Sequence, residues 1–260
     1  MAWLATVVLY ALALLLGMLV MLEAGRRFGI HRAKKDPEGA KASVGAMDGA
    51  IFGLMGLLVA FTFSGAASRF DVRRQLIVEE ANDIGTAYLR IDLLPADTQP
   101  ALRESFRRYV DSRLAVYQKL PDLEAVKREL GENARLQKEI WSRSVAACNK
   151  LDSPAVTSLV ITALNAMIDI TTTRTMAGFT HPPTIVFVML FGVALASALL
   201  GGYTMGTSSR RGSRLHMLTF ATVTALTVYV ILEIEFPRLG LIQVRDFDKA
   251  LADVRATMND

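Results

Sequence analysis

The side chains that could take part in chemistry are few, and they are scattered along the chain. There is one cysteine, Cys148, and there are three histidines, His31, His181 and His216. A single cysteine excludes an intrachain disulfide, and histidines this far apart do not have metal-ligand spacing. No serine, histidine and carboxylate stand together in a catalytic motif. We therefore predict no catalytic residue, no metal site and no cofactor, and we expect Cys148 to be buried.

Two groups of polar side chains recur at helical spacing in the middle of the chain. They are Glu79, Glu80 and Asp83, and Asn165 and Asp169. One hypothesis is that they line a vestibule that concentrates cations. The alternative is that they pair with arginines of neighbouring helices, as charged helix faces commonly do.

A third pair of carboxylates, Glu233 and Glu235, ends an apolar segment. A carboxylate there is costly unless it is paired or hydrated. Residues two apart on a helix point about 200° apart, so these two cannot chelate one ion together. They are either functional groups at the end of a membrane helix or simple boundary charges.

The composition places the chain in a lipid bilayer. Hydrophobic residues make up 52% of the 260 residues and the mean hydropathy is +0.33. The apolar residues are concentrated in four blocks, each long enough to span. Between Arg69 and Arg174 there are 16 Lys and Arg against 15 Asp and Glu, so no basic surface for nucleic acid is expected.

The four blocks predict four transmembrane helices. The first, Trp3 to Leu22, lacks a basic segment before it and a cleavage site, so we interpret it as a retained anchor. Residues 23–41, which carry six Lys and Arg, are predicted to form a short basic loop before the second span. The third span covers 184–205, a tight basic turn covers 208–214, and the fourth span covers about 215–236.

The second span organises the rest of the chain. A helical pattern runs from Gly49 to Leu93 without a proline, and about 45 residues reach roughly 67 Å, about twice the hydrocarbon thickness. Half of this helix is therefore expected outside the bilayer. Small residues recur along its first half at Gly45, Gly49, Gly53, Gly56 and Ala60, which lets helix backbones approach closely in lipid.

Another face of the second span carries bulky apolar side chains. If this span lines a pore, a ring of them around a symmetry axis would form an apolar constriction. The predicted constriction residues are Phe52, Met55, Val59 and Phe63. Asp48 and Arg69, at the two ends of the span, would then form charged rings at the pore mouths. The alternatives are ordinary packing residues and ordinary interfacial charges.

The region between the second and third spans is predicted to be entirely helical. Ile77, Ala81, Ile84, Tyr88 and Ile91 form one apolar stripe, and Pro95 ends that helix. A second helix begins near Thr98, and a fourth begins at Ser153 and Pro154, an N-cap followed by proline at the first helical position. The third helix is expected to carry one set of residues on one side: Leu123, Val126, Leu130, Ala134, Trp141, Val145 and Cys148.

The predicted fold is thus an all-α membrane protein in four parts. Residues 1–68 hold spans one and two, 69–181 a helical extramembrane domain, 182–238 spans three and four, and 239–260 a charged tail, which we favour as a helix. Nine Lys and Arg in the two short loops place those loops in the cytoplasm by the positive-inside rule. Arg69, Arg73 and Arg74 oppose that orientation from the other side.

Four stretches of this sequence resemble the bestrophin-like family of bacterial membrane proteins. They are AFTFSGAASRFDVRRQLIVEEANDIGTAYLRIDLLP, LNAMID with the later Arg174, PPTI, and EFPRLGLIQV. The resemblance covers nearly the whole chain. It implies the bestrophin arrangement, which is a homopentamer with four spans, a helical domain between spans two and three, and a pore lined by span two with an apolar neck. The chain lacks the acidic cluster that follows span four in calcium-gated bestrophins, so no calcium switch is expected.

The resemblance implies a homo-oligomeric, pentameric channel for small inorganic ions in the bacterial inner membrane. In true bestrophins the helical domain is cytosolic, which conflicts with the charge count, and the two orientations stay open. The rival function is a non-conducting membrane scaffold or sensor whose helical domain binds a partner. A secondary transporter is a third possibility, which the absence of an inverted repeat disfavours.

Overall fold

The structure is a computed structural model that describes residues 2–36, 45–119, 122–207 and 214–258. In these ranges the chain is helical and contains no strand. The α-helices within the described residues are α1 (Ala2–Lys35), α2 (Gly45–Leu89), α3 (Gln99–Gln118), α4 (Leu123–Cys148), α5 (Pro154–Phe179), α6 (Thr184–Thr207), α7 (Arg214–Glu235) and α8 (Lys249–Thr257). Short 3-10 helices cover Arg90–Leu93 and Arg245–Asp248. The all-α prediction is confirmed.

The chain divides into two units. We call Met1–Ser68 with His181–Leu241 the transmembrane unit, and Arg69–Thr180 with Ile242–Asp260 the polar helical unit. Helix α2 contributes residues to both. Four helices in the described ranges are long and apolar enough to cross a membrane, as the four apolar blocks predict. The C-terminal segment, which the sequence presents as a separate tail, belongs to the polar helical unit.

The predicted basic loop after span one is wrong over its described part. Helix α1 continues through Arg26, Arg27 and Arg32 to Lys35. The carboxylate of Glu23 bonds both Arg26 and Arg27 at 2.9 Å, one turn further along the same helix. Such pairs stabilise a helix that leaves the apolar region. The rest of that loop, Pro121 and the turn at 208–213 lie outside the described residues.

Helices α1 and α6 make the closest helix contact of the transmembrane unit, through glycines. A methyl group added at Gly202 would lie 2.0 Å from the carbonyl oxygen of Leu22, and one at Gly25 would lie 1.9 Å from that of Leu199. Methyl groups at Gly29 and Gly206 would each come within 2.3 Å of a backbone oxygen. Backbones can approach this closely only where side chains are missing. These glycines set the close approach of α1 to α6.

The polar helical unit has its own core. It is formed by buried side chains of five helices: Ile84, Phe106, Tyr109, Leu136, Ile140, Leu164, Met167 and Leu251. All five residues of the predicted α2 stripe, from Ile77 to Ile91, are buried. Cys148 is also buried, as predicted, and burial raises the pKa of its thiol.

The predicted helix starts in this unit are confirmed. Thr98 precedes α3, and the Ser153 hydroxyl accepts a bond from the backbone N–H of Val156 at the start of α5. Asp122 caps α4 by accepting from the N–H groups of two residues in its first turn. On α4, Ala134 is exposed. The side of α4 that packs into the core carries Leu136 and Ile140.

Candidate functional site

The predicted constriction residues of α2 do not share one environment. Met55 and Val59 are partly buried and pack with the core of the transmembrane unit, where they line a groove against α7. The ring of Phe52 makes an edge contact with Phe220 of α7, with centroids 5.9 Å apart. Phe63, in contrast, is 42% exposed. The single chain therefore brings Phe52, Met55 and Val59 together against α7 and leaves Phe63 apart from them.

The opposite face of α2 points away from the rest of its unit. Gly49 and Gly53 lie on this face, and a methyl group added at either of them would have no neighbour within 4 Å. Leu57 and Phe61 project from the same face and are 51% and 68% exposed. We call this the outward face of α2. Sequence reasoning did not single out Leu57 and Phe61, because every side of this span is apolar and only its neighbours distinguish one side from another.

The two predicted mouth charges lie in different units. Asp48, near the start of α2, accepts a 2.5 Å hydrogen bond from the hydroxyl of Thr204 on α6. Arg69 lies just beyond the last residue of the transmembrane unit and is half-buried. Their roles as charged rings remain predictions.

Among the vestibule candidates, Glu80 is completely buried. Its carboxylate accepts a 2.5 Å bond from Nε of Arg113 and a second bond from Nη1 of Arg174. Arg174 also donates to Asp248 at 3.0 Å, and its guanidinium lies 4.1 Å above the ring of Tyr117. We call Glu80, Arg113, Arg174 and Asp248 the buried charge network. For Glu80 the structure corresponds to the pairing alternative and not to a vestibule surface.

The buried charge network shifts the pKa of Glu80, and Glu80 in turn affects the pKa of Asp83. Burial opposes charge on Glu80, but the charges and hydrogen bonds of Arg113 and Arg174 outweigh burial and lower the pKa of the carboxyl. The pKa of nearby Asp83 is raised, first by partial burial and then by the charges of Glu79 and Glu80. Arg113 was not anticipated, although it lies at helical spacing from Phe106 and Val110, two buried apolar residues of α3, and a charged residue in such an apolar stripe is the signal that would have found it.

The other vestibule candidates are accessible. Glu79 on α2 and Asn165 and Asp169 on α5 are all exposed. They remain available to water in the single chain. Their proposed role with ions remains a prediction.

Glu233 and Glu235, at the end of α7, are both completely buried. Glu235 lies 2.9 Å from Nδ1 of His181, and the His181 ring stacks on Phe236. Glu233 accepts a 2.5 Å bond from the backbone N–H of Leu241. The two carboxylates thus engage different partners, which agrees with their predicted divergence. In the described part of the chain no three His, Cys, Asp or Glu side chains are grouped as metal ligands.

Comparisons with known proteins agree with this architecture. Two crystal structures of a bacterial Bestrophin homolog from Klebsiella pneumoniae superpose on the chain. The one phased by Zn-SAD has a TM-score of 0.64 at 14% identity, covering 92% of this chain and 97% of that chain. A variant has a TM-score of 0.68 at 14% identity, covering 96% and 98%. A search of curated protein sequences found no match.

The family assignment rests on sequence as well as on fold. A profile of the Bestrophin-like domain matches residues 11–247, which is most of the chain. Together with the four apolar helices, this makes the protein a multi-pass membrane protein. The chain belongs to the Bestrophin-like family.

Proposed function

We propose that this chain is one subunit of a homo-oligomeric ion channel in the bacterial inner membrane, with α2 lining the pore. Membership of the family supports a bestrophin-type ion channel at family level. Five copies are expected by similarity to bestrophins. The observation that carries the proposal is the outward face of α2.

This face differs from the lipid-facing surfaces of the other spans. The exposed large side chains of α1, α6 and α7 are mostly aliphatic, among them Leu9, Leu16, Ile185 and Leu226, although α1 also exposes Tyr10 and Phe28. The outward face of α2 also carries large side chains, but it has two glycines with open space above them, Gly49 and Gly53, whereas α6 has one, Gly192. Small residues suit close approach of a neighbouring helix or the edge of a water-filled axis better than contact with lipid chains.

Within this face Leu57 and Phe61 are one turn apart, and Leu54 is exposed beside them. In a symmetric assembly with this face inward, Leu57 and Phe61 would form two apolar rings that gate by dewetting. The sequence-based alternative places Met55, Val59 and Phe63 toward the axis, which requires α2 to rotate relative to its position in the single chain. Asp48 and Arg69 at the pore mouths, and Glu79, Asn165 and Asp169 in a vestibule, would then bias the sign of the permeant ion.

Flux through reconstituted liposomes tests the function and the pore face together. Leu57→Ala and Phe61→Ala should each raise the rate of ion flux, because each widens a ring. Val59→Ala is a matched control of similar chemistry and should change the rate little. If only Val59→Ala raises the flux, the axis lies on the other side of α2. If neither wild type nor any variant passes ions, the scaffold function is favoured.

The orientation in the membrane is tested with a single new cysteine. The native Cys148 is buried and its thiol pKa is raised, so it should react slowly with a charged maleimide. Glu124 on α4 is exposed. Labelling of Glu124→Cys in intact cells would place the polar helical unit outside, and labelling only after permeabilisation would place it in the cytoplasm.

A scaffold or sensor remains the second candidate, and one observation favours it. The polar helical unit exposes large apolar side chains, including Leu89, Leu159, Met176 and Phe179. Exposed apolar residues of this size are typical of surfaces that bind a protein partner or another copy of the chain.

A further inference from the structure

Helices α3 and α4 of the polar helical unit run antiparallel, and side-chain hydrogen bonds fix their register. The amide of Gln137 on α4 donates to the hydroxyl of Tyr109 on α3 at 3.2 Å. Further along α3, the hydroxyl of Ser112 donates to the carboxylate of Glu129 at 3.0 Å. Residue numbers therefore fall along α4 as they rise along α3, and this register matches residues of one helix with those opposite them on the other.

One turn beyond Tyr109 and Gln137, the register brings Arg113 opposite Asn133. Residues four apart lie on the same face of a helix, so Arg113 follows Tyr109 on α3 just as Asn133 precedes Gln137 on α4. Both side chains lie in the interior, since Arg113 is completely buried and Asn133 is 2% exposed. We call these two facing side chains the Arg113–Asn133 layer.

Three polar atoms of this layer make no hydrogen bond within the described part of the chain. Arg113 donates through Nε to Glu80 at 2.5 Å and through Nη2 to the hydroxyl of Tyr117 at 3.0 Å, but its Nη1 is buried without a partner among the described residues. Both Oδ1 and Nδ2 of Asn133 are buried in the same condition. Buried polar groups of folded proteins are nearly always hydrogen bonded, either to protein or to ordered water.

The chemistry of these atoms defines the ligand that fits them. Nη1 of Arg113 donates a hydrogen bond, and the amide of Asn133 has one donor end and one acceptor end. A ligand shared by the two side chains must therefore both accept and donate, which a halide or other anion without a proton cannot do. The charges agree, because Glu80 and Asp248 already neutralise Arg113 and Arg174, and an anion would add an uncompensated charge to a dry core.

The ligand must also be small. Direct hydrogen bonds join α3 to α4 at Tyr109, one turn before the layer, and at Ser112, next to Arg113, and they hold the two helices together. Water is the neutral molecule of this size that both accepts and donates. An internal water typically makes about three hydrogen bonds to buried polar groups.

We propose that an internal water molecule bridges the Arg113–Asn133 layer, accepting a hydrogen bond from Nη1 of Arg113 and donating one to Oδ1 of Asn133. Arg113 holds the buried carboxylate of Glu80 through Nε. The water satisfies the remaining end of the same guanidinium, so Asn133 is a positioning residue that acts on the buried charge network through the water. The inference does not depend on ion conduction.

A structure of the full-length wild-type protein, at a resolution that shows ordered water, tests the site directly. A peak should lie at hydrogen-bond distance, about 2.7–3.2 Å, from Nη1 of Arg113 and from the amide of Asn133. Crystals grown in bromide distinguish water from an anion, and an anomalous bromide peak in the layer would overturn the proposal. So would a direct hydrogen bond between Asn133 and Arg113 with no peak between them.

Hydrogen exchange of α3 tests the role of the water. Asn133→Leu removes the second partner of the water, and it should raise the opening of α3 by at least about fivefold, because Nη1 of Arg113 is then left buried and unsatisfied. Asn165→Leu is the matched control, since Asn165 is exposed on α5, and it should leave the opening of α3 unchanged. An equal effect of the two replacements would contradict the proposal.

A double-mutant cycle separates the bridge from ordinary packing. In the variant Glu80→Leu with Arg113→Leu the guanidinium is absent, so adding Asn133→Leu there should raise the opening of α3 much less than it does in wild type. If Asn133→Leu has the same effect in both backgrounds, Asn133 contributes only packing and the proposal is wrong. The peak in wild type decides the question even if Asn133→Leu does not fold.

Discussion

Replacing Glu80 by glutamine should destabilise the polar helical unit more than any exposed charge replacement. Glu80 and Arg113 have no exposed side-chain surface, and the Arg174 side chain is 4% exposed. Two arginines and two acids make the buried charge network neutral. Glu80→Gln leaves two guanidinium groups with Asp248 as the remaining acid, so the network acquires a net charge of about +1 in a dry core.

The magnitude follows from burial. Removing one partner of a buried ion pair costs about 3–5 kcal/mol, because the remaining charge has lost its water and its partner. Each 1.4 kcal/mol is a factor of ten, so the population of opened molecules should rise by roughly two to three and a half powers of ten. The control is Glu124→Gln. Glu124 pairs with Lys127, but their side chains are 74% and 71% exposed, and exposed pairs contribute little.

Hydrogen exchange of the full chain in detergent, read peptide by peptide, measures this opening locally. Peptides of α3 and α5 should lose protection in Glu80→Gln, while those of α1 and α6 provide an internal reference. The double variant Glu80→Leu with Arg113→Leu removes one charge of each sign and should recover most of the lost protection. If Glu80→Gln loses no more protection than Glu124→Gln, the network does not hold this unit together.

Three further predictions concern stability. Gly202→Ala should destabilise the protein by about 1–3 kcal/mol and so lower its thermal midpoint in detergent, because its methyl group would lie 2.0 Å from a backbone oxygen of Leu22. Folding lowers the pKa of the Glu80 carboxyl. The stability that ionised Glu80 contributes is therefore complete above its unfolded pKa, near 4.3, and is lost as the pH falls through its folded pKa. Protection of α3 against hydrogen exchange should fall below about pH 4. Leu251→Ala should cost about 2–5 kcal/mol and speed proteolysis of the C-terminal segment, because Leu251 is completely buried.

Each of these has a control. At Gly192 a methyl group meets nothing within 4 Å, so a loss of stability in Gly192→Ala equal to that in Gly202→Ala would contradict the close-contact argument. If α3 loses hydrogen-exchange protection at low pH to the same extent in Glu80→Gln as in wild type, Glu80 is not the cause of the acid sensitivity. Asp253 is exposed on α8, and Asp253→Ala should leave proteolysis unaffected.

Local signals in the sequence were sufficient for most helix boundaries. The cap at Ser153 with Pro154, and the apolar stripe from Ile77 to Ile91, act through neighbours along the chain and predict structure without knowledge of the fold. The extension of α1 to Lys35 was missed because charged residues were interpreted as a loop. These charged residues continue the helix because Glu23 pairs with Arg26 and Arg27, one turn away on the same helix.

The candidate site was less predictable. On a span that is apolar all round, the stripe of Met55 and Val59 and the stripe of Leu57 and Phe61 look alike in sequence. Only packing against α7 separates them. The partners of Glu80 come from α3 and α5, 33 and 94 residues away, and such a distant choice of partner leaves no local pattern. An arginine, Arg113, within the apolar stripe of α3 was the one signal available in the sequence.

The polar helical unit is discontinuous along the chain, and this affects how the protein can be made. Leu251 and Met258 belong to the same core as Phe106, yet the ribosome produces them only after α6 and α7. During synthesis the core formed by residues 69–180 therefore lacks Leu251 and Met258 until α6 and α7 have been made. Cells therefore face an interval in which this surface is open to wrong partners, and its length is set by translation and insertion of about 60 residues.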